Sequence, residues 1–268
     1  MHLDIIKPSR AHKRRLKVQA SELLDAMGWP SRLGNIDRSA KTVKGLAYGV
    51  TTFIVYLSPG TLSGRNLCTS ASRGCLQACL HTAGRGGMHC TQRARLRKTE
   101  AYFADRQRYM LQLERELASF ARSARRRELI PAVRLNGTSD IKWERISFIG
   151  KDGKRYASIM ERFPGLQFYD YTKHTPTERP GIGDLPNYHI TFSYAEDNHA
   201  RALEALDYGW NVAVVFRHTL PETWQGREVI DGDTSDIRFA DKQGCIVGLI
   251  AKGKAKKDCS GFVVDGGE

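Results

Sequence analysis

Apolar positions along the chain fall into short, nearly continuous runs separated by polar clusters. Gly45 to Tyr56, Ile130 to Leu135, Leu166 to Tyr171, Asn187 to Tyr194, Asn211 to Phe216, Glu228 to Ile230 and Cys245 to Ala251 are rich in β-branched and aromatic residues and read as strands. Between them the period changes. Leu96, Phe103, Met110, Leu113, Leu117 and Phe120 recur at helical spacing, which predicts one long helix from Cys90 to Arg127. Asn198 to Tyr208, closed by Gly209, is a second helix, and Trp143 to Phe148 and Ala157 to Phe163 read as short helical connectors. Continuous apolar strands alternating with helices predict an α/β fold with a mostly parallel sheet covered on both faces. With roughly six to eight strands, the expectation is a single β/α barrel-like domain over residues 45–268, partial or closed in the TIM manner. Residues 1–44 read as a basic appendage: Lys7 to Lys17 is a run of cations, and Ser21 caps a short helix ended by Gly28 and Pro30.

One stretch does not fit this rhythm. Ser58 to Cys90 follows the first strand and holds Cys68, Cys75, Cys79 and Cys90 among Gly, Ser, Thr and Asn. So long a loop needs a constraint, and thiolates around a metal would supply one. Buried free thiols and a disulfide framework are the alternatives. The sequence opens without the apolar core of a secretion signal, so a reducing, cytoplasmic setting is expected and disulfides are disfavoured. Zinc prefers paired C-x2-C knuckles, which are missing, although His81 and His89 could add nitrogen ligands. Iron–sulfur clusters accept more varied thiolate spacings. A [4Fe–4S] cluster is therefore the favoured occupant and zinc the alternative, with Cys90 a fourth ligand or a spare. Cys245, which opens an apolar strand, and Cys259 are expected to stand apart.

Charge adds a partner class. With 42 Lys and Arg against 29 Asp and Glu, the net charge is +13. Nucleic acid, DNA or RNA, is the commonest acidic partner, and no apolar run is long enough to suggest a membrane span. The cations concentrate in Lys13 to Lys17, Arg93 to Arg127 and Lys252 to Lys257. Arg93, Arg95, Arg97 and Lys98 follow Cys90 directly, and Lys254 and Lys256 follow the last strand. Both groups are expected near the cysteine loop, as phosphate contacts.

Strand ends carry the remaining candidate chemistry. Asn136, Ser139 and Asp140 follow the second strand, Asp170 ends the third, Ser193 and Glu196 end the fourth, and Asp231, Asp233 and Asp236 lie before the last. In parallel α/β folds these ends share one face, where sites are built. Asp140, Asp170 and Glu196 are the candidate catalytic residues; Asn136, Ser139 and Ser193 are candidate cofactor contacts.

Several of these motifs also carry a resemblance. The segments LSPGTLSGRNLCTSASRGCLQACLHTAGRG, RLNGTSDIKWE, YDYTK, VIDGDTSDIRF and GLIAKG resemble the phage-derived family named after gene product 88, from about Tyr56 to Phe262. That likeness implies a phage or mobile-element setting and little chemistry. The architecture is more loosely similar to the radical SAM superfamily, whose cluster is held by three cysteines after the first strand of a partial β/α barrel. Cys68, Cys75 and Cys79 match in place and number, though their C-x6-C-x3-C spacing differs from C-x3-C-x2-C. The likeness implies S-adenosylmethionine as a cofactor, with Ser193 and Glu196 at its ribose. Three readings follow: an iron–sulfur, radical-SAM-like enzyme acting on nucleic acid or a nucleotide; a zinc- or cluster-stabilised nucleic-acid-binding module; and a nuclease that collects divalent ions on Asp140, Asp170, Asp231, Asp233 and Asp236.

Overall fold

The structure, a computed structural model, describes residues 19, 22–79, 81 and 84–266. Its strands are β1 (Gly34–Ile36), β2 (Val50–Val55), β3 (Ile130–Arg134), β4 (Phe148–Ile149), β5 (Arg155–Tyr156), β6 (Gln167–Thr172), β7 (Tyr188–Ser193), β8 (Asn211–Phe216), β9 (Thr223–Trp224), β10 (Arg227–Asp231), β11 (Ile246–Ile250) and β12 (Val263–Val264). Its α-helices are α1 (Ala40–Lys44), α2 (Arg73–Gln77), α3 (His89–Ala104), α4 (Arg106–Arg126), α5 (Ile159–Arg162) and α6 (His199–Asp207). No described helix is long and apolar enough to cross a membrane.

One sheet of ten strands organises the molecule, in the order β1-β2-β3-β6-β7-β8-β11-β10-β9, with β12 added beside β8. From β2 to β10 every neighbouring pair is parallel, while β1 and β9 are antiparallel ends. Strands laid down in chain order, each joined by a right-handed crossover, put their connections on one face. Side-chain parity agrees. Phe53, Val133, Phe168 and Ile190 point into a core with Tyr109, Leu113 and Leu117 of α4, and Val212 and Val214 meet Ala202 and Leu206 of α6. The opposite face takes the even positions of β2 and β3: Val50 and Ala132 pack with Tyr169, Ile237 and Phe239 from the segment after β10. Arg134 and the Tyr169 hydroxyl both reach Asp236 there, at 3.0 and 3.1 Å. The mostly parallel α/β sheet is thus as expected; among the described residues β1 and β9 stand at its two ends, and the closed form of the barrel is not seen.

Other expectations need correction. Residues 1–44 are not all appendage: Gly34–Ile36 pairs with β2, Leu33 is fully buried, and Glu116 of α4 accepts from Leu33 and Gly34 backbone N–H groups. Three residues are too few to show a strand period. Lys13 to Lys17 lies outside the described residues. The long helix is two. Asp105 has extended backbone angles and its carboxylate accepts from Arg108 N at 2.9 Å, so it caps α4 and breaks the run. Charged residues on both sides masked that break. Trp143 to Phe148 and Ala157 to Phe163 are helical connectors as expected, though only for one turn each: 3-10 helix at Trp143–Arg145 and α5, with the hairpin β4–β5 between them.

Candidate metal centre

Because the parallel strands share a direction, the segments leaving β2, β3, β6 and β7 emerge along one edge of the sheet. The cysteine loop follows β2, residues 136–140 follow β3, Lys173 and His174 follow β6, and Glu196 follows β7. Their contacts show that they meet. Asp140 donates its N–H to Leu67 O at 2.8 Å, and its carboxylate accepts from Thr172 Oγ1 at 2.8 Å and Lys173 N at 2.9 Å. One residue thereby ties the strand ends of β3 and β6 to the residue before Cys68, its backbone to Leu67 and its side chain to β6. Arg65 anchors the same loop from the other side through a buried ion pair with Glu100 of α3, at 2.7 Å. Gly137 fits only as glycine, since a Cβ there would lie 2.6 Å from Val55 O.

Three of the loop cysteines are coupled electrostatically. Burial pushes the Cys68 thiol up to about 12; the Gly60 N–H, 3.4 Å from its Sγ, works the other way, and Asp140, Cys79 and Cys75 each push it further up. Burial also raises Cys75, opposed by the Lys173 ammonium and reinforced by Cys79, Glu196 and Asp140. Burial raises Cys79 as well, against the His81 backbone N–H and the Arg95 guanidinium. Cys68 therefore feels the other two thiols and Cys75 feels Cys79, while Lys173 acts on Cys75 and Arg95 on Cys79. Among the described residues, no three His, Cys, Asp or Glu side chains close around a single-ion position. Cys90 is exposed on the first turn of α3, and no contact among the described residues joins it to the others. Cys245 is buried at the start of β11, its thiol on Lys242 O, and Cys259 is exposed.

The segment carrying Cys75 is held with unusual thoroughness. Glu196 accepts from Ser72 Oγ and from Gly74 N, both at 2.7 Å. Ser72 in turn caps α2 by accepting from Cys75 N at 3.0 Å. A methyl at Gly74 would overlap Ser260 Oγ and stand 2.8 Å from Phe262 Cβ, so the residues before β12 press directly on this helix. Lys173, buried at 6% exposure, donates to Ser193 O and Oγ and to Tyr194 O at 3.0–3.2 Å, and its ammonium lies 5.6 Å from the Phe262 ring. Lys173 was not foreseen from sequence; its place directly after a strand's C-terminal end was the available signal.

The other expected site residues behave differently. Asn136, Ser139 and Asp170 turn inward on one another. Asn136 Oδ1 accepts from Ser139 Oγ, Ile141 N and Trp143 Nε1, and Asp170 accepts from Asn136 N at 2.7 Å and from Tyr188 OH at 3.0 Å. Their polar atoms fix the turn after β3 rather than lining the thiol space. Burial pushes the Asp170 carboxyl up to about 7, with the Asn136 N–H and the Arg134 charge opposing it. Ser193 and Glu196, expected against a ribose, are engaged in holding Lys173 and α2. Asp231 accepts from Asp233 N and Thr234 Oγ1, Asp233 meets Lys252, and Asp236 is on the far face, so these carboxylates do not gather with Asp140 and Asp170. Of the expected phosphate contacts, Arg93, Lys254 and Lys256 are exposed and Arg97 is half-buried. Arg95 and Lys98 are buried at 8% exposure, which corrects their reading as surface cations. Arg95 lies over the Tyr56 ring at 5.4 Å, and burial brings the Lys98 ammonium down to about 8.

A cleft of about 250 Å³ opens beside Cys68, with Leu67, Thr69, Tyr102, Arg106, Asp140 and His174 in its walls. His174 is fixed there by Glu178 at 3.1 Å and Ser70 at 3.3 Å.

The family model described as Gene product 88 matches residues 29–266. Comparison with curated proteins and with solved structures returns no match.

Proposed function

The chain belongs to the Gene product 88 family, and from that footing we propose that it is an iron–sulfur enzyme whose Cys68, Cys75 and Cys79 hold a [4Fe–4S] cluster at the mouth of a partial β/α barrel. The observation that carries this is the mutual field of the three thiols at the C-terminal edge of strands laid down in chain order. Their C-x6-C-x3-C spacing suits a cluster better than the paired knuckles that zinc prefers. When bound, a cluster with three protein ligands supplies one-electron chemistry and one iron open to a further ligand. The protein's own contribution is electrostatic and positional. The Gly60 N–H and the Lys173 and Arg95 cations favour thiolate over thiol, against the desolvation that burial imposes. Ser72 and Glu196 fix the Cys75 helix, and Asp140 locks the start of the loop to β6. The residues expected at S-adenosylmethionine are engaged in this scaffold instead, so nothing further is built on that cofactor.

Protein purified without oxygen should be brown and contain iron and sulfide. Cys75→Ser should lose most of the iron and lower the melting temperature together, because ligand binding is folding energy here, whereas Cys259→Ser should keep both. Full iron retention in Cys75→Ser, or zinc in place of iron and sulfide, overturns the assignment.

A polyanionic substrate, DNA or RNA, is a second reading. His81 feels both Arg95 and Lys254, so cations from α3 and from the turn after β11 do approach the same loop.

A further inference from the structure

Helix α4 gives one face to the core and the other to solvent. Tyr109, Leu113, Leu117, Phe120 and Ala124 are buried, while Arg108, Arg115, Arg122 and Arg126 are exposed. At 3.6 residues per turn these four fall within about 40° of one another, so they form a single stripe along the helix. Arg108 and Arg122 stand about 21 Å apart on it, and Arg126 ends it at about 27 Å. The acids of this segment are engaged elsewhere. Asp105 caps the helix, Glu114 is buried against Arg162, and Glu116 holds the backbone of Leu33 and Gly34. Glu128 lies beyond the helix end. Among the described residues, none of the stripe arginines pairs with an acid. Local stability does not explain the stripe. Arg106 and Arg108 stand in the first turn, where the helix dipole disfavours cations and where no acid joins them. Arg122 and Arg126 are like charges four residues apart, a destabilising pair. A face kept for solubility alone mixes both signs and accepts Lys, yet residues 105–128 hold no Lys.

What the stripe lacks points to its partner. No large apolar side chain of α4 is exposed. The face therefore has neither the apolar centre of a protein interface nor the apolar side that a helix lying on a membrane buries. The aromatic beside it, Trp29, is packed against the core, with the Arg108 guanidinium over its ring at 4.0 Å and its Nε1 on Gln112. It offers no free ring for the stacking by which single strands are held. Forked guanidinium groups at fixed spacing on a rigid helix instead match a regular array of phosphates. We propose that α4 binds the backbone of double-stranded nucleic acid, laid along the helix over about six to eight base pairs. This surface rests neither on the cluster nor on a polyanion at the cysteine loop. Its first turn does adjoin the site, since Arg106 is in the wall of the cleft beside Cys68. The near end of a bound duplex therefore lies beside that cleft.

Fluorescence anisotropy of short, labelled DNA and RNA duplexes with the full-length protein, across a salt series, tests this. Binding should weaken with a log–log slope of roughly −0.9 per phosphate contact on DNA and show little sequence preference. Arg108→Gln, Arg115→Gln and Arg122→Gln should each flatten the slope by roughly 0.9, and together they should cost roughly a hundredfold or more in affinity at about 0.1 M salt. Circular dichroism and the urea midpoint should hold steady. Because Arg108 touches Trp29, the pair Arg115→Gln with Arg122→Gln repeats the test without it. Lys254→Gln with Lys256→Gln removes the same charge beside the cysteine loop and should leave the slope unchanged. If that pair flattens the slope and the α4 variants do not, nucleic acid is held at the loop and the proposal is overturned. It is also overturned if single-stranded DNA binds as tightly with the same arginine dependence, if only vesicles of anionic lipid respond to the arginines, or if no duplex binds at low salt. Iron is read separately. Arginine-dependent duplex binding by protein that loads no iron upholds the stripe and removes the cluster, and iron without duplex binding does the reverse.

Discussion

His189, on the face of the sheet opposite α4, shows how a single residue can set the response to acid. It lies on β7 beside Arg238, its Nε2 is buried without a hydrogen-bond partner, and burial, with that guanidinium adding, brings its pKa down to about 4. The folded state therefore binds this proton less readily than the unfolded chain, where imidazole titrates near 6.5. The stability it contributes is full above pH 6.5 and is lost as pH falls towards 4. Asp170 works in the opposite sense. Its folded pKa of about 7 lies above the unfolded value, so its contribution is present at low pH and lost as pH rises through 7. The difference in unfolding free energy between wild type and His189→Gln isolates the histidine: it should grow by on the order of 2–3 kcal/mol between pH 4 and 7, in urea titrations at each pH. At this scale the sequence was half legible. Four cysteines in a polar loop announce themselves, and Cys68 and Cys75 each feel another thiol of that loop. Asn136, Ser139 and Asp170 could not be told from site residues, because the types that build turns also build sites, and only their hydrogen bonds separate the two roles.

Among the elements, the junction of α3 and α4 is the most informative. The apolar period runs through Asp105 almost undisturbed, which is why one helix was read. The break depends on a cap, a property of one side chain and one N–H. Asp105→Ala should cost about 1 kcal/mol, measured as a shift in the urea midpoint at unchanged slope, and Asp105→Asn should recover most of it. Tyr102, three residues before the break, is stacked under Arg106 at 3.9 Å and edge-on to Tyr109, so the two helices stay in contact across it. The inner strands were legible for the opposite reason. Val50–Val55 and Asn211–Phe216 are buried almost throughout, and a strand covered on both faces writes itself as an unbroken apolar run. Strands of two or three residues, β1, β4 and β5, are too short to show any period.

The whole molecule is knit together over long separations in the chain. Trp29 Nε1 donates to Gln112 Oε1, Gln112 donates to Pro30 O, and Glu116 holds the backbone entering β1. A chain beginning at residue 37 would strip this layer from α4 and uncover β2. It should lose on the order of 5 kcal/mol, seen as early unfolding in urea or as insolubility. The opposite margin of the fold does something similar for the site. β7 pairs with the first half of β8, and β12 pairs with the second half while β11 occupies the other side, so β12 fills a split in the sheet beside the Cys75 helix. On the ribosome that arrangement becomes a matter of time. Gly74 is synthesised 188 positions before the Phe262 that presses on it, an interval of roughly 10–40 s at common elongation rates. Through that interval the thiols of Cys75 and Cys79 have emerged but the Ser260 and Phe262 that press on their helix have not, so a nascent chain holds them on a helix that its last strand has yet to fix.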